Sequence, residues 1–295
     1  MSASTITPGK KRNDSRRSGG QWWRHLLALV AVFWALFPIV FVVSAAFNPA
    51  GTLSTSRLIP RSFSLQNFET LFNSPEWPFL RWYGNSLYVA GVGAVLTLLI
   101  GAMSAYVFSR MRFKGRRVGL MALLLIQMFP ALLAFVAVYI TFDRIGQVVP
   151  LLGLNSTTGL MLAYLGGSMG ANVWLLKGYF DTVPKALDEA ATIDGASHVR
   201  IFFTIIIPLV VPILVTVFMI VFVGLFSEFM LASIFLRDAN AQTLGVGLWA
   251  LQSADKNRFF GQFAAGAVLA SLPVTIIYMS LQKQLIGGLT SGSVK

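Results

Sequence analysis

The residues best equipped for chemistry stand in one polar stretch between long apolar runs: Asp181-Thr-Val-Pro-Lys-Ala-Leu-Asp-Glu-Ala-Ala-Thr-Ile-Asp-Gly195. Asp181 or Thr182 can cap a helix there, with Pro184 tolerated in its first turn. Leu187, Ala190, Ala191 and Asp194 then recur at helical spacing, and Gly195 supplies a left-handed stop. Ser197 can cap a second helix running through Val199, Ile201 and Phe202 into the next apolar run. A short helix, a sharp turn and a second helix make a projecting elbow, a shape suited to insertion into a partner's groove. The competing reading is an amphipathic helix lying flat on a membrane surface.

Other chemistry is thinly supplied. Cysteine is absent, and the only histidines, His25 and His198, are far apart in sequence, so a His/Cys metal site is not expected. No GxxxxGK[ST] phosphate loop occurs, and neither a serine elbow nor an HExxH zinc helix is expected. Glu228 falls late in an apolar run. Intramembrane carboxylates are costly and often functional, so a pathway or gating role and a boundary placement both stand for Glu228. Gln127, just before Pro130, is a softer candidate for the same pathway. A membrane enzyme would need titratable groups converging at depth, and the sequence offers no such cluster. A structural scaffold would make the elbow's turn dispensable.

The elements that position these residues are set by lipid. Of 295 residues, 56% are hydrophobic and 12% charged, whereas soluble domains carry roughly a quarter charged residues. A bilayer core of about 30 Å needs about 20 apolar helical residues. Six stretches qualify, at 26–47, 85–108, 118–141, 157–177, 204–231 and 263–286. None alternates with the period of two that barrel strands require. The expected class is all-α, with a basic tail over 1–25, a membrane domain over 26–286, a polar loop over 178–203 and a second tail over 287–295.

The net charge of +12 is a membrane signal here. Lys10, Lys11, Arg12, Arg16, Arg17 and Arg24 form one basic cluster, and Arg110, Arg112, Lys114, Arg116 and Arg117 another. Both abut apolar runs, as the positive-inside rule requires of cytoplasmic segments, and no nucleic-acid motif accompanies them. Alternation then puts both termini and 178–203 inside. A retained first helix is expected over a leader cleaved near Ser44-Ala45-Ala46, because signal peptides carry apolar runs of only about 7–15 residues. Pro38, Pro130, Pro208, Pro212 and Pro273 interrupt the spans, as packing kinks or as a discontinuous pathway lining. Gly91, Gly93, Gly101, Ala102, Ser104 and Ala105 predict close helix contact along the second span.

With the elbow and spans in place, Glu189-Ala190-Ala191, three residues, Gly195, nine residues and Ile205-Ile206-Ile207-Pro208 resemble the EAA loop of ABC-importer permeases. Ile207 stands where that pattern usually has leucine. The short strings Gln127-Met-Phe-Pro130, Phe142-Asp-Arg144, Ala163-Tyr-Leu-Gly-Gly167, Lys177-Gly-Tyr-Phe180, Leu236-Arg-Asp238 and Gly287-Gly-Leu-Thr-Ser-Gly292 extend the likeness to the binding-protein-dependent sugar permeases of maltose type.

The resemblance implies a type I importer permease with six transmembrane helices and cytoplasmic termini, in a bacterial inner membrane. It implies a heterodimer with a second permease, two ATPase subunits that hold the ATP and Mg2+, and an extracytoplasmic sugar-binding protein. This chain itself would carry no cofactor, no metal and no catalytic residue. Glu189, Ala190, Ala191, Asp194, Gly195 and Pro208 would couple to the ATPase. Thr243, Leu244, Gly245, Val246, Gly247, Asp255 and Asn257 would meet the binding protein, as a loop that helps to empty it. Gly288, Thr290, Ser291 and Gly292 would reach between the ATPases. Trehalose, a longer oligosaccharide or glycerol phosphate are alternative substrates, because the loop that carries the likeness never meets the solute.

Overall fold

The computed structural model describes residues 22–60 and 62–290. Its twelve α-helices are α1 (Trp22–Ala46), α2 (Gln66–Asn73), α3 (Phe79–Arg110), α4 (Arg116–Gln127), α5 (Ala131–Val148) and α6 (Thr157–Phe180). They continue as α7 (Lys185–Ile193), α8 (His198–Ile201), α9 (Ile207–Ser227), α10 (Met230–Phe235), α11 (Leu244–Ala254) and α12 (Phe260–Thr290). Five stretches are long and apolar enough to cross a membrane: α1, α3, α5, His198–Ser227 and α12. Helix α6, bent by 51° near Gly167, makes a sixth if taken as one span.

Helix α3 is the hub, packed along α6 and α9. The reason is its side-chain size. Ser86, Ala90, Gly93, Thr97, Gly101 and Ala105 fall at helical intervals and are all buried. A small face lets backbones approach closely where lipid supplies no hydrophobic drive. A Cβ on Gly93 would stand 2.8 Å from Leu225 Cδ1 of α9, and one on Gly101 3.5 Å from Leu176 Cδ1 of α6. Gly91 and Ser104, expected on that face, are only partly buried, and a Cβ on Gly91 would meet nothing within 4 Å.

Several boundaries differ from the sequence expectation. The first span begins at Trp22, and its end is fixed by Asn67, whose Nδ2 donates to Ala46 O and Asn48 O, both at 2.9 Å. Ser44-Ala45-Ala46 is thus the buried closing turn of α1 rather than an extended, accessible segment. The second span starts early, at Phe79. The stretch 118–141 is not one helix: it breaks after Gln127, and α5 restarts behind Pro130. Proline clashes with a helical conformation at the residue before it and removes a backbone donor. At Pro208 a π turn over Phe202–Ile206 precedes α9, closed by Ile207 N–H bonded to Phe202 O. That wider turn shifts the bonding by one residue just before the position where proline has no N–H to donate. Pro38, Pro212 and Pro273 remain inside helices.

Gly166-Gly-Ser-Met-Gly170 has the GxSxG spacing of a serine elbow, against expectation. It lies within α6, and the motif's chemistry needs a strand-to-helix turn, so the string carries no nucleophile reading.

Two glycines separate conformational tolerance from steric need. A Cβ at Gly247 would fall 2.1 Å from Trp82 Cδ2, so Gly247→Ala must displace a buried indole. The expected cost is about 1–3 kcal/mol, read as a lower unfolding temperature in detergent. Gly91→Ala should be neutral or stabilising by about 0.5–1 kcal/mol in the same assay.

Candidate functional site

The elbow forms as the sequence predicts, with one change at its start. Helix α7 opens behind Pro184, whose ψ of 128° is extended, and no side chain caps it. Asp181 and Thr182 instead finish α6: Thr182 Oγ1 donates to Tyr179 O at 2.7 Å. Asp181 accepts from Ser109 Oγ and from Lys177 Nζ, each at 2.6 Å. Burial pushes the Asp181 carboxyl up, but the bonds from Lys177 and Ser109 and the charges of Lys177 and Arg116 outweigh it. The carboxyl is held below its usual range.

At the far end, Gly195 has φ +80°. Its N–H bonds to Thr192 O at 3.0 Å, and Ala196 N–H reaches back to Ala191 O at 2.9 Å. This pair of bonds is the Schellman stop, which needs a left-handed residue. A Cβ there would meet nothing within 4 Å, so glycine is required by its backbone angle alone. Ser197 then caps α8, its Oγ accepting from Arg200 N–H at 3.4 Å.

Helix α7 has two faces. Asp188 and Ala191 turn toward the bundle, while Glu189, Ala190 and Asp194 are exposed and Ile193 is 87% exposed. Ala191 was expected to allow a partner close; at 9% exposure it instead allows α7 to lie close on its own chain. Pro208 sits apart from α7, at the start of α9.

The sequence reading missed what holds the elbow. Arg110 Nε and Asp188 Oδ2 pair at 2.7 Å, with side chains 5% and 16% exposed. Arg110 Nη2 also donates to Val183 O at 2.8 Å. Tyr106 Oη lies 3.5 Å from His198 Nδ1, joining α3 to α8. The available signal was charge placement: Arg110 is the one basic residue in the last turn of α3, and Asp188 abuts Glu189.

At the opposite end, Glu228 closes α9 with an extended ψ of 130°. Its Oε1 accepts from Leu231 N–H at 2.8 Å and its Oε2 from Ala232 N–H at 3.1 Å, while Tyr164 Oη donates to Oε2. The carboxylate therefore satisfies two of the opening N–H groups of α10, which offsets the cost of its burial. Asn155, a left-handed residue at φ 57°, does parallel work. Its Oδ1 accepts from Arg237 N–H at 2.6 Å and Asp238 N–H at 3.0 Å. Gln127 and Pro130 are exposed at the α4–α5 break, and Gln127 packs over Gly170 of α6, where a Cβ would stand 3.0 Å from Gln127 Cγ.

The string Thr243-Leu-Gly-Val-Gly247 is not a solvated loop. It begins α11, with Thr243, Leu244, Val246 and Gly247 buried and Gly245 partly so. Leu244 N–H donates to Ser86 Oγ at 2.8 Å. Apolar residues at this spacing make a helix that packs on α3, so the string is engaged within its own chain. Asp255 and Asn257 are exposed. Asp255 Oδ1 accepts from Asn257 and Arg258 N–H groups at 3.0 and 2.9 Å, and Asn257 Oδ1 accepts from Ser54 N–H at 3.0 Å. Gly288 and Thr290 lie in the last turns of α12, their side chains outside the described set, and Ser291 and Gly292 lie outside the described residues.

Residues 97–290 match the family described as binding-protein-dependent transport system inner membrane component. The maltose/maltodextrin transport system permease protein MalG of Vibrio vulnificus (strain YJ016) is 41% identical over 285 residues, covering 93% of this chain and 95% of its own. MalG of Escherichia coli (strain K12) is 40% identical over 282 residues, covering 92% and 94%. Among solved structures, a bacterial ABC transporter involved in the import of the acidic polysaccharide alginate aligns with a TM-score of 0.75 at 23% identity, over 94% of this chain and 99% of that one. A bacterial alginate ABC transporter in complex with alginate pentasaccharide-bound periplasmic protein aligns with a TM-score of 0.65 at 16% identity, over 88% and 93%. At these identities the structural likeness speaks for the fold alone.

Asp188→Asn leaves Arg110 buried without a counter-ion and should destabilise the chain by about 3–5 kcal/mol. The double change Arg110→Met with Asp188→Leu should recover most of that loss, as thermal unfolding in detergent would record. Asp181 has a lowered folded pKa, so its stabilisation is present above the ordinary carboxylate range and lost as pH falls through the folded value. Asp181→Asn should flatten that acid limb in unfolding temperature against pH.

Proposed function

The chain belongs to the binding-protein-dependent transport system inner membrane components, and from that membership we propose that it is the MalG-type permease subunit of a maltose/maltodextrin importer. It is a transport component and not an enzyme; ATP and its Mg2+ belong to partner ATPase subunits. The carrying observation is the elbow, which presents Glu189, Ala190 and Ile193 outward on a helix whose inner face is locked by Asp188. An exposed helix that sets the small Ala190 among the apolar Leu187 and Ile193 and the charged Glu189 suits a groove in a partner.

The full assembly is our reading: this permease with a second, different one, two ATPases and an extracytoplasmic sugar-binding protein. In this reading the chain crosses a bacterial inner membrane six times, with both termini and the elbow on the cytoplasmic side. The Arg110–Asp188 and Ser109–Asp181 contacts support the common side of the basic turn and the elbow. ATPase closure would push the elbow and turn the helices to open the pathway outward, and hydrolysis would reset them. Asp255 and Asn257 remain available on the opposite side for the binding protein, and the α12 tail for the ATPases. Trehalose, other oligosaccharides and glycerol phosphate are the competing solutes.

Uptake of radiolabelled maltose and trehalose into vesicles holding this chain with its partner subunits tests the reading. Maltose uptake should require ATP and binding protein. Gly195→Ala imposes a left-handed conformation costing roughly 1–2 kcal/mol and should slow uptake, while Gly195→Pro should abolish it in assembled complexes. Trehalose uptake without maltose uptake would move the substrate, and uptake indifferent to Gly195→Pro would remove the elbow's role.

A further inference from the structure

We propose that the groove beside the α3–α4 turn binds the phosphodiester headgroup of an anionic phospholipid, with an acyl chain lying along α4. This rests on the membrane-spanning reading of the chain and is independent of which solute it carries. The groove, an open space of about 520 Å³, is lined by Phe113, Arg116, Arg117, Val118, Leu120 and Lys177 together with Gly115.

Its charge is only partly compensated, because Lys177 is paired with Asp181 at 2.6 Å while, among the described residues, its arginines have no carboxylate partner. The acidic neighbour is Asp181, whose two oxygens are already taken by Lys177 and Ser109 at 2.6 Å each. Arg116 spends one Nη2 contact on Ser109 O at 3.4 Å. Among the described residues Arg117 has neither an ion pair nor a hydrogen bond from its side chain, and Arg112 and Lys114 lie within five residues of it in the chain. Clusters of this sign at the cytoplasmic end of a span attract anionic lipid. The N–H groups of Arg117 and Val118 also open α4 without a capping side chain, which adds to the cationic groove but does not create it.

The choice between a lipid and an acidic protein surface is made by the side chains beyond the cations. Val118, Met121 and Leu125 are all exposed and large, and at i, i+3 and i+7 they share one face. They run from the groove toward the bilayer for about 10 Å. A ligand with an anionic head and an apolar tail satisfies both parts at once, whereas free phosphate or an acidic peptide would leave the apolar track unused.

The test uses the assembled transporter in detergent micelles, titrated with fluorescent phosphatidylglycerol and phosphatidylcholine. Phosphatidylglycerol should bind about tenfold or more tightly. Arg117→Gln should weaken it about fivefold and Arg116→Gln with Arg117→Gln about 25-fold, one cation's worth at a time. Arg116→Lys with Arg117→Lys should restore most of the binding, which excludes misfolding as the cause. Val118→Ser should weaken binding without changing charge. The proposal falls if the double glutamine variant keeps its lipid preference. It falls equally if inorganic phosphate displaces the lipid at equal concentration while Val118→Ser has no effect, which would mark a simple anion site. Phosphatidylglycerol binding seen only when the ATPase subunits are left out, and absent from the assembled transporter, would assign the groove to protein and also overturn it. Failure of sugar uptake would leave this result standing, so the two readings fail separately.

Discussion

The structure depends on one buried ion pair at the base of α3. Arg110 and Asp188 meet at 2.7 Å with little solvent around them, and a pair so placed is strongly destabilising to break although not a large net gain to form. What it confers is attachment. Arg110 ends the helix that packs along both α6 and α9, so the pair ties α7 directly to the hub of the bundle. Ser109 bonded to Asp181 and Tyr106 set against His198 repeat the connection on either side. The elbow is therefore held from its inner face, which leaves its outer face free of structural duty.

A second constraint shapes everything away from the elbow: backbone groups freed at a helix break must be satisfied where water is scarce. Three places show a device for this. Glu228 supplies both carboxylate oxygens to the first turns of α10, Asn155 receives two N–H groups of the α10–α11 link, and the π turn before Pro208 shifts its bonding by one residue. The sequence leaves a pathway role and a boundary placement both open for Glu228. Here Glu228 is explained by the break it serves.

The sequence was most informative where a local rule acts alone. Gly195 announces a left-handed stop and Ser197 a cap without reference to anything distant, and both formed as read. Apolar length placed most of the crossings but not the break at Pro130, because a proline in an apolar run is compatible with either a kink or a stop. The Arg110–Asp188 pair joins residues far apart in the chain, so no local pattern could announce it. Thr243–Gly247 misled for the same reason: its glycines suggest a loop until Trp82, from α3, is seen to occupy the space that a side chain on Gly247 would need.

Side-chain size also separates the inside of this bundle from its outside. In water, exposed Leu132, Leu133, Val136 and Ile140 on α5 would mark a missing partner. In lipid they cost nothing, because acyl chains are as apolar as leucine, and exposure loses its diagnostic value. Smallness keeps it. The buried stripe from Ser86 to Ala105 on α3 is drawn from small residues, whereas the outward face of α5 carries large branched ones. Close packing is thus concentrated on the helix to which the elbow is pinned. The periphery is left to an environment that conforms to any shape.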